Sequence, residues 1–422
     1  MKRLHFLFVC LLLSALSLVC AAAEGDYIVY LRQEDSALLA AKDGRLAYTV
    51  VDADELAALE AEDKVLWYEE DIELFLLGTV GFSDPYYAQK WDLAVIDAQR
   101  AWNEGYMGDD IIIGVVDSGV QPDHPDLAVN LLPSVCYLDG VSAETDTFGH
   151  GTFVAGMLAA AGNGIGTVGV APKAKIQPLK CFESGVKTTV SMAAPAILDA
   201  VDKYGCRILN LSFGAPKASQ TLKDAIDYAI GKGCIVVAAV GNDGNAELNY
   251  PAAYPGVIGV GSVNASKAVS SFSQRNESVK LVAPGEQVVS TYTGSRYGSW
   301  EGTSFAAPLV SGAAALLLGA DDTLGPGEMS ALLTRSAVRL GEETYSTSYG
   351  YGLLNIGRAL RSLADIPGDL DCDGAVTMRD ALLLLRAMLH ADSLADITVA
   401  DMNADGALTL ADVLLLLRAA AM

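Results

Sequence analysis

The sequence predicts an α/β protein: a doubly wound parallel sheet with helices on both faces, preceded by a small α+β unit and followed by a small helical module. Three observations carry this. Ile111-Ile-Ile-Gly-Val-Val, Ile208-Leu-Asn-Leu and Ile235-Val-Val-Ala-Ala-Val are short apolar runs, as suits parallel strands buried on both sides. Helix-like stretches lie between such runs, including Val190 to Tyr204 and Thr221 to Lys232, which gives a βαβ rhythm. Finally, a segment near the C-terminus repeats itself at an offset of 32 residues. In a doubly wound sheet, sites form at the carboxyl ends of the strands.

The length of 422 residues suggests two or three domains. With 51% apolar and 19% charged residues, long disorder is excluded, because disordered chains are poor in apolar residues. Lys plus Arg number 28 against 52 Asp plus Glu, a net charge of −24. That argues against nucleic acid as a partner, since phosphate contact needs a basic face. It favours solubility by self-repulsion and attraction of hard cations.

Residues 1–23 read as an export signal. Lys2 and Arg3 precede the apolar run Phe6-Leu-Phe-Val-Cys-Leu-Leu-Leu, and Ala21-Ala22-Ala23 precede Glu24. The run is short for a bilayer span, so cleavage is expected, leaving a mature chain without a membrane span. The protein is then secreted, free or attached to a scaffold or cell surface. Residues 24–79 form the small unit: Tyr27-Ile-Val-Tyr-Leu reads as a strand, Asp54 to Glu60 as a capped helix, and Val65-Leu-Trp-Tyr and Ile72-Glu-Leu-Phe as strands. Residues 80–365 are the βαβ domain, and residues 366–422 hold the repeat.

Cys10 and Cys20 leave with the signal, so five cysteines remain: Cys136, Cys181, Cys206, Cys234 and Cys372. An odd, widely spaced set is not a disulfide framework. Free buried thiols are expected, with a Cys206–Cys234 bridge as the alternative.

Three segments supply a reactive constellation. Val115-Val-Asp-Ser-Gly-Val puts Asp117 where a strand ends; an Asp there is ordinarily a cap. Gly149-His-Gly-Thr-Phe-Val-Ala-Gly sets His150, one of only four histidines, between glycines at the start of a small-residue helix. Gly302-Thr-Ser-Phe-Ala-Ala-Pro puts Ser304 just before a long apolar helix, where Ser is ordinarily an N-cap. Together they have the parts of an activated nucleophile. A serine hydroxyl needs a neutral imidazole to take its proton, and a carboxylate to hold that imidazole in the right tautomer. The helix N-terminus behind Ser304 favours negative charge, and Asn242, in Ala239-Val-Gly-Asn-Asp-Gly, supplies a further donor for an oxyanion.

These segments resemble the subtilases, the subtilisin-like serine proteases. The resemblance covers roughly residues 85 to 360 and includes His124-Pro-Asp-Leu, Gly169-Val-Ala-Pro, Asn210-Leu-Ser-Phe-Gly, Tyr250-Pro-Ala-Ala-Tyr-Pro, Val282-Ala-Pro-Gly and Gly350-Tyr-Gly-Leu-Leu-Asn. It implies a serine endopeptidase acting on protein or peptide substrates. Asp117 would orient, His150 act as base then acid, Ser304 attack and Asn242 hold the oxyanion. Phe153, Val240 and Leu309 depart from the family's usual His, Ala and His, at positions that affect packing more than chemistry.

By the same resemblance, Leu211, Ser212, Phe213 and Gly214 pair with an extended substrate, reading backbone shape more than sequence. Ala239, Val240 and Gly241 wall the main specificity pocket and Asn249 lies near its base. With no acid placed to select a basic side chain, a broad apolar or aromatic preference is expected. A Ca²⁺ site in the peptidase domain is implied too, with side-chain oxygens from Asp126 and Asn163, backbone oxygens from Ala161, Ile165 and Thr167, and Gln89 as a further ligand. Residues 24–79 would be the inhibitory propeptide, short at 55 residues from Glu24 to Gly78.

Each copy of the C-terminal repeat opens with D-x-[DN]-x-D-G, the start of an EF-hand-type loop. The first offers Asp369, Asp371, Asp373, the Ala375 carbonyl and Asp380; the second offers Asp401, Asn403, Asp405, the Ala407 carbonyl and Asp412. Gly374 and Gly406 make the sharp turns. Two such loops, each followed by one helix, are similar to a type I dockerin, which implies two bound Ca²⁺ ions and a cohesin module of a scaffold protein as partner. Met378-Arg379 and Leu410-Ala411 sit at the positions dockerins use for partner choice. Leu382 to Leu385 and Leu414 to Leu417 cannot all face inward on a lone helix. The leading reading is an exported protease tethered to a scaffold. The alternatives are an inactive subtilase fold serving as a binding module, and a protease whose repeat is a purely stabilising calcium module.

Overall fold

The computed structural model describes residues 27–31, 49–51, 58, 59, 62, 64–70, 80–183, 187–341, 344–363, 368, 370, 376–390, 400, 402 and 408–420. The chain divides into two compact units, residues 1–77 and 78–422. The predicted signal segment, the strand at 72–75 and Cys372 lie outside the described residues.

In the first unit, strands β1 (Tyr27–Leu31), β2 (Thr49–Val51) and β3 (Val65–Glu70) make an antiparallel sheet in the order β2-β1-β3. Of the helix expected at 54–60, Ala58 and Leu59 are described, and both are helical.

The second unit starts with two short helices, α1 (Trp91–Val95) and α2 (Ala98–Asn103), and continues through a run of strands with three helices among them. In chain order these are β4 (Ile112–Asp117), β5 (Val135–Cys136), α3 (His150–Ala159), β6 (Lys175–Lys180), α4 (Val190–Asp202), β7 (Ile208–Leu211), α5 (Gln220–Gly231), β8 (Ile235–Ala239), β9 (Ile258–Val263) and β10 (Val279–Pro284). The seven strands form one parallel sheet in the order β10-β9-β8-β7-β4-β6-β5. From β4 the chain builds outward to β5 and β6, then crosses back to add β7 on the other side. The carboxyl end of β4 is therefore the switch point, where a crevice opens in such sheets.

Strand alternation explains why the apolar runs are continuous. Ile113, Val115, Ile235 and Val237 join one core layer; Val116, Leu209, Val236 and Ala238 join the layer on the other face. Helices α4 and α5 cover the second layer through residues such as Ile197 and Ile226. The first is filled by α3 and by α6 (Thr303–Ala320), which follows the hairpin β11 (Val288–Tyr292) and β12 (Arg296–Trp300). Helix α6 is long and apolar enough to cross a membrane, but it is 83% buried inside the domain, which accounts for its hydropathy. Helices α7 (Pro326–Arg335) and α8 (Ile356–Leu363) close that side.

The repeat contributes α9 (Met378–His390) and α10 (Leu410–Ala419). Ala381, Leu384, Val413 and Leu416 make a small core of their own, so the helices do bury one face against each other. Yet Met378, Leu382, Leu410 and Leu414 stay 58–62% exposed, and they fall at equivalent positions of the two copies. The four described cysteines, Cys136, Cys181, Cys206 and Cys234, are free, as expected. Burial pushes the thiols of Cys181, Cys206 and Cys234 well above their ordinary value, so they stay protonated and unreactive.

Candidate active site

Asp117 is the last residue of β4, at the switch point, and is buried. His150 is the first residue of α3. The glycines around it are required by close packing. A side chain at Gly151 would meet the Gly119 carbonyl at 2.1 Å, and one at Gly149, with φ of +89°, would meet the Tyr292 ring at 2.5 Å. The start of α3 can therefore lie directly on the end of β4. His150 Nδ1 sits 2.8 and 2.9 Å from the two Asp117 carboxylate oxygens. A carboxylate only accepts, so Nδ1 carries the hydrogen and Nε2 is left as the basic nitrogen. Burial opposes the charged imidazole, but Asp117, with a smaller contribution from Asp146, outweighs it and holds the His150 pKa above its ordinary value.

Ser304 lies in the first turn of α6, in the same cleft as Asp117, His150 and Asn242. Its hydroxyl donates to the Ser212 carbonyl at 3.0 Å, and the Ser212 hydroxyl donates back to the Ser304 carbonyl at 2.7 Å. No hydrogen bond joins Ser304 to His150 among the described residues; the hydroxyl is turned to the edge segment after β7 instead. Asn242 follows β8. Its side-chain oxygen accepts from Thr303 N–H and from Thr303 Oγ1, each at 2.8 Å, and its amide hydrogens have no partner among the described residues.

Of the residues expected to bind substrate, Ser212, Phe213, Gly214, Ala239, Gly241 and Asn249 line this cleft. Leu211 and Val240 do not. Both are fully buried in the core layer on the far face, because alternation turns their side chains away from the crevice. Val240 takes part through its carbonyl, which accepts from Asn249 Nδ2 at 3.1 Å.

Several contributors escaped sequence reasoning. Phe148, Trp300 and Phe305 surround the imidazole at ring-centre distances of 6.2, 6.0 and 5.3 Å. Phe153, whose place in the packing the sequence did indicate, lies behind them with its ring tilted 4.6 Å from Phe305. Thr303 and Asp146 were not singled out either. A polar pair around a motif is visible in sequence only as an Asp four residues before the His and a Thr immediately before the Ser.

The loop of residues 161–167 carries a second cluster. Buried Asp126 accepts from Thr167 N–H at 2.9 Å, and buried Asp84 accepts from Asn163 N–H at 3.2 Å. Their remaining oxygens, Asp126 Oδ1 and Asp84 Oδ2, and Thr167 Oγ1 are buried with no hydrogen-bond partner. Burial, with the nearby Asp84 charge, raises the Asp126 pKa to about 6. Orphaned hard oxygens and crowded carboxylates fit a cation such as Ca²⁺. Gln89 is exposed, whereas Asp84, five residues earlier, is buried. The Asn163 side-chain oxygen accepts from Ile165 N–H, the Ala161 carbonyl accepts from Asn163 N–H, and the Ile165 side chain is exposed.

In the repeat, Asp369, Asp371, Asp373, Ala375, Asp401, Asn403, Asp405 and Ala407 lie outside the described residues. Asp380 and Asp412 are buried and cap their helices. Asp380 accepts from Leu370 N–H and from Thr377 N–H, each at 2.7 Å, and Asp412 from Thr409 N–H at 2.8 Å.

Residues 108–352 match the model of the subtilase family of peptidases. The chain belongs to the subtilase family. Residues 367–419 match the dockerin type I domain, so this subtilase is a subtilisin-like serine endopeptidase that carries a dockerin domain. It is 38% identical to subtilisin DY of Bacillus licheniformis over 273 residues, 64% of this chain and 97% of that relative. It is 34% identical to subtilisin E of Bacillus subtilis (strain 168) over 366 residues, 80% of this chain and 91% of that relative. A solved structure of proteases from Pseudoalteromonas arctica PAMC 21717 matches with a TM-score of 0.62 and 28% identity, covering 68% of this subtilase and 99% of that chain. The α/β parallel-sheet architecture read from the sequence is thus that of its family.

Proposed function

We propose that this subtilase is exported through its residues 1–23, is held inactive by residues 24–79, and cleaves peptide bonds with Asp117, His150, Ser304 and Asn242, while residues 366–422 tether it through Ca²⁺ to a cohesin module. The observation that carries the chemistry is the His150 Nδ1 contact with both Asp117 oxygens, in a cleft that also holds Ser304 and Asn242. A peptide strand adding along Ser212 to Gly214 takes the Ser212 carbonyl as an acceptor and releases the Ser304 hydroxyl to turn towards His150 Nε2. Nε2 removes the proton as Ser304 Oγ attacks the scissile carbonyl. The oxyanion is met by the Asn242 amide hydrogens and by the N-terminus of α6. His150 returns the proton to the leaving amine, and water then cleaves the acyl-enzyme by the same relay. Aromatic walls from Phe182, Phe213 and Trp300 support a broad apolar or aromatic preference.

Asp84, Asp126, Asn163, Thr167 and the carbonyls of the 161–167 loop would hold a Ca²⁺ ion, whose contribution is to fix that loop by charge. In the repeat, Asp380 and Asp412 would complete the two calcium loops. The four exposed apolar residues Met378, Leu382, Leu410 and Leu414 support a partner surface over a purely stabilising module. A fluorophosphonate probe tests the chemistry: labelling of the wild type and none of Ser304→Ala is expected, and equal labelling of both would sink it. Capture by immobilised cohesin, lost in EDTA, tests the tether.

A further inference from the structure

We infer that Asp146 is a positioning residue for peptide hydrolysis: its carboxylate clamps the end of β4 to the start of α3 and thereby fixes the Asp117–His150 pair. This rests on the reading of His150 as the general base.

Asp146 is 8% exposed and both its oxygens are occupied. One accepts from Gly149 N–H at 2.7 Å, Phe148 N–H at 3.2 Å and the Ser118 hydroxyl at 2.9 Å. The other accepts from Thr152 N–H at 2.9 Å and the Thr152 hydroxyl at 2.6 Å. The first turn of a helix has N–H groups without partners, and Gly149 at the N-cap has no side chain to meet them. Asp146 meets them from four residues before His150. A cap alone needs only the bonds to Gly149 and Thr152. The bond to Ser118 does something else.

Ser118 follows Asp117, and its N–H donates to Asp117 Oδ1 at 2.7 Å. Its hydroxyl donates to Asp146 and accepts from Gly151 N–H at 2.9 Å. A closed ring results, running from Asp117 to His150, into the helix start, to Asp146, to Ser118 and back. Thr152 Oγ1 adds a second tie by accepting from Gln121 N–H at 3.0 Å. Lys180, fully buried on β6 in register with Asp117, holds the residue before Asp146 through the Thr145 carbonyl at 2.8 Å and hydroxyl at 3.1 Å. The charges around His150 are therefore Asp117 from β4, Asp146 from the loop before α3, Lys180 with Glu183 behind them, and Lys187, Asp243 and Glu301 on the cleft wall. Misplacing a reacting pair by about 1 Å can cost 10²-fold in rate, so a clamp of this kind acts on turnover rather than on binding.

The test is Asp146→Asn in the full chain, which keeps the shape but replaces acceptors with a donor and removes the charge. kcat and KM for a chromogenic peptide are measured from pH 5 to 10. The expected result is a fall in kcat of about tenfold or more with KM within twofold. The acid limb of kcat/KM should also move to lower pH, because a carboxylate favouring the imidazolium is gone. A kcat within twofold of wild type, a change confined to KM, or an unmoved limb would each overturn the inference and leave Asp146 a plain helix cap. If Asp146→Asn does not fold, Ser118→Ala cuts the ring and leaves the Asp146 bonds to Gly149 and Thr152. A fall in kcat of about threefold or more at constant KM then supports the clamp, and an unchanged kcat refutes it. Ser304→Ala in parallel separates the two readings: peptide hydrolysis that survives it refutes the assignment of the nucleophile, whatever Asp146→Asn does.

Discussion

Thr303 holds the side-chain oxygen of Asn242 with two hydrogen bonds, one from its backbone N–H and one from its hydroxyl, each 2.8 Å long. The residue before the serine thus aims the amide beside it. Asn242→Ala should lower kcat by about 10²–10³ with little change in KM, since the donor acts on charge that develops only in the transition state. Thr303→Val keeps the N–H and the volume but removes the hydroxyl, so a smaller fall, about tenfold or less, is expected from the same steady-state assay.

His150 has its pKa raised, and only the neutral imidazole can accept the serine proton. Activity should therefore climb with pH through an acid limb of kcat/KM that lies above 6.5, the unperturbed histidine value. Asp117→Asn should shift that limb down and cut kcat by about 10⁴, through loss of the correct tautomer. For stability the sign is the reverse of the activity trend. The Asp117–His150 pairing stabilises the fold fully below about 6.5, and that contribution fades as pH rises through the folded value. Thermal melts of wild type and His150→Ala across pH 5 to 9 would register the difference.

Asp126 has the opposite linkage from most carboxylates. Its folded pKa is raised to about 6 from 3.8, chiefly by burial, so without a cation its ionisation weakens the fold as pH rises from about 4 past 6. Melting in EDTA should show Tm falling over that window, and millimolar Ca²⁺ should restore it; saturation at a hundredfold above Kd adds about 2.7 kcal/mol. Asp126→Asn should abolish the Ca²⁺-dependent gain. A Tm indifferent to both EDTA and Ca²⁺ would remove the loop from consideration as a metal site.

Leu382 and Leu414 are 58% and 59% exposed, whereas Leu384 and Leu416 are fully buried. Leu382→Asp and Leu414→Asp should leave Tm within about a degree, as exposed substitutions do. They should weaken cohesin capture by about tenfold or more, singly or together, if these faces carry the contact. Leu384→Asp should instead unfold the small core, read as a loss of helical signal at 222 nm.

The strands were legible in the sequence because a sheet buried on both faces demands nearly continuous apolar runs, and β4, β7 and β8 have them, with buried Asn210 the polar residue inside β7. Asp117, His150 and Ser304 stand out in the sequence because each sits at an element end beside glycine: Gly119 and Gly151 allow close approach, and Gly302 takes a φ of +149°. Leu211 and Val240 can face the cleft with their backbone alone, because a segment can border a cleft while every second side chain faces the core. Buried Asp84 gave no sequence signal of its own, because loop geometry, not spacing, decides which oxygen turns inward. Asp146, Thr303 and the Phe148–Trp300–Phe305 set stayed hidden, since their roles consist of contacts with residues far along the chain. Asp380 and Asp412 stand out through the loop pattern and its 32-residue repeat, and both are buried at the starts of their helices.

Helix α6 carries Ser304 in its first turn, and its side chains from Phe305 to Leu318 are buried without a break. The tool's cutting edge and its tang are one forging. The shaft is packed on all sides, so loosening along it reaches the tip as lost aim. Variation that slackens the interior would blunt this protease before melting it, and residual turnover at rising temperature would be a finer gauge of internal fit than the unfolding transition.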